Sequence, residues 1–297
     1  MIRVKLIVLF VAFAFVVQAQ QLPHFSQFVI NDFVLNPGVT GKNNFFEAKS
    51  VVRNQWVGIT DAPRTYVLSL HGPIKSKNFG VGGSVFTDIT GPTRRTGFNA
   101  SYAYHLKIKE GLKLGLGVTA GLLQFAIDGS KLNLQNANDV ALANGYVNDL
   151  IPDFGFGAYL HSEKFYVGVA APQIYPARLK FFDYTTAGRI VTHFYAIAGY
   201  KWNASDDFLV EPMLAVKQVA PVPVQADIGA RVSYKKTVWL GTTYRTKDAV
   251  NVMVGYNFKE NLTIGYSYDI TTSNLKRYNT GTHEVLLAIR FYKAETN

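Results

Sequence analysis

Six histidines and no cysteine set the chemistry this chain could perform. Without thiols there is no disulfide, no thiolate-bound metal, no cysteine nucleophile and no cysteine to carry an N-terminal lipid. Histidine could still act as a general base. His193 and His283, with Asp183 or Asp269 on loops nearby, are the residues a membrane hydrolase would need to bring to one rim. Their spacing does not demand that reading, because no HExxH or GxSxG occurs and no two histidines stand at metal-ligand spacing. His71, His105 and His161 fall near the ends of alternating stretches, where polar and aromatic side chains commonly meet a membrane interface. Gly80-Val81-Gly82-Gly83, Gly115-Leu116-Gly117 and Gly155-Phe156-Gly157 lie inside such stretches with no helix following to hold a phosphate, so they read as bends or close packing. No catalytic residue, metal ligand or cofactor is predicted, and the protein is expected not to be an enzyme.

The chemistry that remains is electrostatic. Glu47, Lys49, Glu211, Asp227, Arg231 and Arg290 alternate with apolar residues and are expected to share one wall, together with Arg53, Asn99, His105, Lys107, Lys113, Lys217, Arg245 and Glu284. Mixed-sign side chains of this kind fill and cross-link a water-containing interior. Their positive excess would also attract anions or an acidic protein segment. The basic residues form no stripe interleaved with aromatics, so nucleic acid is not an expected partner.

A period of two puts those residues on one wall. Val224, Ala226, Ile228, Ala230, Val232 and Tyr234 face one way while Asp227, Gly229, Arg231 and Ser233 face the other. Leu262 to Ile270 and Val250 to Phe258 repeat the pattern. About fourteen such segments lie between residues 45 and 292, among them 45–56, 152–161 and 189–202, most of them near the ~9 to 11 residues that carry a tilted strand across a bilayer. Every second connection is a tight turn, and the others include the three longest, Asp128 to Ile151, Pro172 to Gly188 and Thr271 to Thr280. Short turns at one end and long loops at the other mark an outer-membrane barrel. The fold class is therefore all-β: a transmembrane antiparallel up-and-down barrel of about 14 strands, with outer-membrane lipid around it. Its last strand, Gly281 to Tyr292, ends on aromatics and must pair with the first, because lipid offers no partner to an open edge.

Composition agrees. Charged residues are 17% and aromatics 14% of a chain of 297 residues, poor in the surface residues that helices use. Arg3 and Lys5, an uncharged run from Leu6 to Val17 and small residues before Gln20 have the layout of a secretory signal peptide. The expected organisation is a signal peptide over 1–19, an arm over 20–44 that lacks a sustained period and could plug the barrel or pack on its periplasmic side, and the barrel over 45–297. Cleavage lowers the formal charge from +10 to +8, since only Arg3 and Lys5 leave. The first hairpin, Arg53 to Pro73, is expected to sit at the closing seam with Arg53 and Gln55 facing inward and Trp56 and Tyr66 near the outer interface.

The arm and this hairpin also carry a resemblance. His24-Phe25-Ser26-Gln27-Phe28, Leu35-Asn36-Pro37-Gly38 and Gly41, then Arg53-Asn54-Gln55-Trp56-Val57-Gly58, Ala62-Pro63-Arg64-Thr65-Tyr66 and His71-Gly72-Pro73, are similar to the N-terminal signature of the PorP/SprF family. Asn31-Asp32-Phe33 and Gly38-Val39 depart from it. The resemblance implies a non-catalytic barrel of the type IX secretion and gliding-motility apparatus in the cell outer membrane. Its implied partners are a secreted surface adhesin, through the adhesin's C-terminal domain, or periplasmic proteins of the secretion motor. It also marks Phe25, Ser26, Gln27, Asn36, Pro37, Gly41, Arg53, Gln55, Trp56, Gly72 and Pro73 as candidate partner-binding residues. The alternative is an outer-membrane porin or solute channel.

Overall fold

Alternation along each strand decides which side of the sheet meets water and which meets lipid. In the strand Gln225–Tyr234, Ile228 is 56% exposed on the outer wall while its neighbour Asp227 is 2% exposed on the inner one. Leu68, Phe98 and Leu240 stand on the same outer wall, and Arg53 and Glu284 on the inner one. An apolar outside and a polar inside suit a sheet that faces lipid and closes on itself.

The computed structural model describes residues 23–74, 78–131, 145–179, 190–220, 222–259 and 261–293. The expected signal peptide and Asp183 lie outside them. The strands are β1 (Phe45–Asn54), β2 (Arg64–Pro73), β3 (Phe79–Thr90), β4 (Thr93–Lys109), β5 (Leu112–Asp128), β6 (Tyr146–Ser162), β7 (Phe165–Ala171) and β8 (His193–Tyr200). They continue through β9 (Trp202–Asn203), β10 (Phe208–Val219), β11 (Gln225–Tyr234), β12 (Val238–Arg245), β13 (Ala249–Phe258), β14 (Leu262–Thr271) and β15 (Thr282–Lys293). Each pairs antiparallel with its neighbours, β8 passes directly to β10, and β15 returns to pair with β1, with Arg53 opposite Glu284. The result is a closed barrel of fourteen strands, with β9 a two-residue addition beside the start of β10.

Strand limits differ from the sequence pattern most at β6 and β8, and β1 also ends early. β6 begins at Tyr146 rather than at 152, because Val147 to Ile151 pair with Ile127 to Leu123 and lengthen the hairpin. The stretch 189–202 holds β8 only from His193 to Tyr200, since the Lys201 N–H turns aside to the Lys164 carbonyl at 2.6 Å. β1 stops at Asn54, where Trp56 takes a left-handed backbone (φ 48) and donates its N–H to Thr282 Oγ1 at 3.0 Å.

Residues 23–44 do not join the sheet. They form a one-turn helix α1 (Asp32–Leu35), with Asn31 before it and Asn36 after it, and a 3-10 turn at Pro37–Val39, all inside the barrel. Phe25, Phe28, Phe33 and Val39 are buried there against Val51, Trp239, Met253 and Leu286 of the inner wall. Apolar burial that a soluble sandwich would find between two sheets is found here between arm and wall.

Candidate functional site

The arm runs against the direction expected of a segment that simply leads into β1. Ser26 lies beside the ends of β1 and β14 and the start of β15, all at the long-loop end. Thr40 and Gly41 lie beside His71, His105 and Gly80 at the tight-turn end, from which β1 sets out. The arm therefore crosses the lumen from the long-loop end to the tight-turn end. In outer-membrane barrels those ends face the cell exterior and the periplasm respectively.

At the long-loop end the arm is gripped by a buried charge network. Glu284 accepts the backbone N–H of Ser26 and of Gln27, each at 2.9 Å, and Arg53 Nη1 at 3.0 Å. The Ser26 hydroxyl donates to Asp269 at 2.7 Å and accepts from Arg53 at 2.8 Å and Arg245 at 3.1 Å. Asp269 also takes Arg53 at 2.8 Å, Arg245 at 2.9 Å and Asn251 at 2.7 Å, while Arg245 reaches Asp227 at 2.9 Å. Buried charges of opposite sign hold best where lone pairs and protons are matched, and Ser26 adds to that match from the arm, leaving Arg53 Nε without a partner. His24 stands 3.3 Å from Asp227 without the alignment of a hydrogen bond. Burial first, and then the Arg245 guanidinium, hold its imidazole down at about 4 against the pull of Asp227, so it is neutral at pH 7.

A second cluster holds the middle of the arm. Asp32 meets Lys42 and, at 3.4 Å, Lys49; Lys49 meets Glu47 at 2.9 Å, and Glu47 meets Arg290 at 3.0 Å. Burial pushes the Asp32 carboxyl up, but Lys42 and Lys49 outweigh it and hold it at about 2. Phe33 stacks on His71 with ring centroids 4.5 Å apart, and His71 Nδ1 accepts the Gly41 N–H at 3.2 Å. His105 Nε2 lies 2.7 Å from the Thr40 carbonyl. His71 and His105 thus point inward onto the arm; His105 was expected on the inner wall, whereas the expectation that His71 meets a membrane interface fails because it shares the parity of that wall.

Between the clusters the arm needs glycine. Asn36 donates to the carbonyls of Ala158 and Val169 at 3.0 and 3.1 Å and accepts the Gly38 N–H at 2.8 Å. A Cβ on Gly117 would stand 2.2 Å from the Pro37 carbonyl, and one on Gly80 2.1 Å from the Thr40 carbonyl oxygen. Gly80, Gly115 and Gly117 are strand glycines on which the arm's backbone rests directly.

Of the candidate residues, the structure gathers Ser26, Gln27 and Arg53 in the first network, Phe25 in the apolar cluster, and Asn36, Pro37 and Gly41 along the arm's contact with the wall. Gly72 lies under the Phe46 ring beside Gly41, and Pro73 ends β2 opposite Gly80. Gln55 and Trp56 line a depression of about 610 Å³ at the long-loop mouth, floored by His24 and Arg245. Glu211 and Arg231 pair with each other on β10 and β11, away from the arm's charges. Asp32, Lys42 and Asn251 join the networks without having been named as candidates, and Asp269 joins them although it was named only beside the hydrolase histidines; Asp32, a lone acid in an apolar arm, was the visible signal. The hydrolase set does not assemble. His193 points inward to the Val191 carbonyl, His283 outward to the Tyr266 hydroxyl, and Asp269 is saturated by arginines. No group of three metal-ligating side chains occurs among the described residues.

A family model described as type IX secretion system membrane protein PorP/SprF matches residues 17–289. No curated protein matches the chain. Among solved structures it is similar to the toluene transporter TbuX of Ralstonia pickettii, with a TM-score of 0.50 and 11% identity over 87% of this chain and 92% of that one. It is also similar to the CymD monoaromatic hydrocarbon channel (0.50, 13%, 89% and 94%) and to the Acinetobacter baumannii outer membrane protein Omp33 (0.50, 10%, 85% and 100%). At such identities the likeness shows the fold alone, that of an outer-membrane β-barrel.

Proposed function

Because the chain belongs to the PorP/SprF family of type IX secretion system membrane proteins, we propose that it is a non-catalytic docking barrel of that apparatus, exported by a cleaved signal peptide and seated in the outer membrane. It binds either the C-terminal domain of a secreted surface adhesin or a periplasmic protein of the secretion and gliding motor. The observation that carries this reading is the arm. A solute channel needs a continuous aqueous path, whereas here the residues from Ser26 to Lys42 lie across the lumen, tied by buried ion pairs and close glycine contacts. Fourteen strands enclose more space than side chains alone fill, and the arm takes it up.

Two measurements test the proposal. Tagged mature protein recovered from its native membranes is expected to bring secretion-system proteins or a surface adhesin with it; recovery of neither overturns the docking role. In planar bilayers the intact protein is expected to be silent, and a variant lacking residues 20–40 to conduct. Large steady channels from the intact protein would instead favour the porin.

A further inference from the structure

The tight-turn end carries two basic depressions that the arm leaves unfilled. One, of about 360 Å³, is lined by Lys42, Lys113, Lys201, His161 and Tyr166, with Glu163 its one carboxylate among the described residues. The other, of about 710 Å³, is lined by Lys235, Lys236, Lys259 and Arg290 and, among the described residues, by no carboxylate. Lys42 and Asn43 line the first and Asn44 and Phe45 the second, so the arm's exit into β1 is the wall between them. Four residues span at most about 14 Å, which places the depressions side by side.

Some of this charge is already matched. Lys42 meets Asp32, Arg290 meets Glu47 at 3.0 Å and Lys235 meets Asp207 at 3.8 Å. Lys113, Lys201, Lys236 and Lys259 make no ion pair among the described residues. Neutral donors face the smaller depression too. The Tyr166 hydroxyl, on a side chain 5% exposed, and His161 Nε2 are buried without a hydrogen-bond partner. Unpartnered buried polar atoms beside ammonium groups that make no ion pair, Lys201 feeling Glu211 only from beyond ion-pair distance, are what an absent acceptor leaves behind.

We propose that this end of the lumen is a binding site for an acidic polypeptide segment, whose carboxylates occupy both depressions across the arm's exit. A single small anion could fill one depression and leave the other empty; an extended acidic chain reaches both, and two adjacent basic hollows favour the chain. Confined positive charge on low-dielectric walls raises both the capture rate and the affinity for such a segment. The inference rests on the docking role and names the partner's chemistry on the tight-turn side.

The test uses the full-length protein in detergent and a fluorescent oligoglutamate peptide, with oligolysine and inorganic phosphate as comparison probes. Oligoglutamate is expected to bind, oligolysine not to, and millimolar phosphate to compete poorly. Binding should weaken roughly tenfold in Lys113→Gln/Lys201→Gln and again in Lys236→Gln/Lys259→Gln, since two exposed or half-exposed charge pairs together contribute about that much. Heat-modifiable migration on gels verifies that each variant keeps its barrel. The inference is overturned if folded variants bind the peptide as the parent does, if the parent does not bind it, or if phosphate displaces it stoichiometrically as an adventitious ion would. The co-purification experiment decides the docking role separately, so the two readings fail by different results.

Discussion

Replacing Glu284 by alanine should free the arm. Its carboxylate, 0% exposed, accepts two backbone N–H groups of the arm and one guanidinium nitrogen of Arg53. Hydrogen bonds to a charged group each contribute about 1.5–3 kcal/mol net, and removing one partner of a buried ion pair costs about 3–5 kcal/mol. The Ser26 and Gln27 donors regain water only when the arm leaves, so the penalty falls on the docked state. Taking the low end, about 3 kcal/mol, the docking equilibrium shifts by roughly 150-fold. The chain has no cysteine, so a single Val39→Cys reporter, at a position 0% exposed, reads arm opening against a clean background. When opening is fast relative to labelling, the maleimide rate scales with the open fraction. Val39→Cys/Glu284→Ala is therefore expected to label at least about a hundredfold faster than Val39→Cys alone, and Glu284→Gln, which keeps one acceptor oxygen, to fall between. A labelling rate within about threefold of the parent, with the barrel still heat-modifiable, would refute the assignment of Glu284 as the arm's anchor.

The same reporter tests three further expectations. Gly80→Ala places a methyl 2.1 Å from the Thr40 carbonyl oxygen, and overpacking of about 1–3 kcal/mol predicts labelling faster by roughly tenfold with no change in strand pairing. His24 has its imidazole held at about 4 when docked, against the 6.5 of a free histidine. The released arm therefore binds the proton more readily, and docking weakens as pH falls from about 6.5 and levels off below about 4; His24→Asn should flatten that part of the profile. Asp32, held at about 2 against the usual 3.8, is shifted in the same direction but in a lower pH window. Its contribution is whole above about pH 4 and is lost as pH falls toward 2, so Asp32→Asn should raise labelling at pH 7 and remove any second loss at low pH.

Most of the barrel was legible because membrane strands announce themselves twice. Alternation assigns each residue to lipid or lumen, and loop lengths assign each end of the strand to one rim; Ile228 and Asp227, or Leu287 and Glu284, follow both rules in the structure. Strand ends were less legible where another element decided them. Thr282 captures the Trp56 N–H and so ends β1 early, and no local pattern at Trp56 announces it. The arm was readable as a segment without a period, but its path was not. Its contacts join residues more than two hundred positions apart, as Ser26 does with Glu284, and side-chain type alone does not say which inward charge a given arm residue will meet. His71 was not placed for the same reason: at the end of a strand, polarity fits an interface and a lumen contact equally, and only the Gly41 backbone that it accepts from distinguishes them.

The reversed path of the arm explains why its anchors cluster where they do. A segment leading straight into β1 would need contacts only at the tight-turn end, where β1 begins. Instead Ser26 and Gln27 bind Glu284 on β15 and Ser26 binds Arg53 on β1, and these two strand residues are opposite each other across the seam that closes the barrel. The Arg53–Glu284 ion pair bridges the seam at 3.0 Å, and the arm adds donors to its carboxylate and an acceptor to its guanidinium. Arm docking and seam closure therefore stabilise each other, since neither the carboxylate nor the guanidinium is fully matched until both have happened. The first hairpin owes its Arg53 to this double duty: one residue pairs the first strand with the last and holds the arm that occupies the space they enclose.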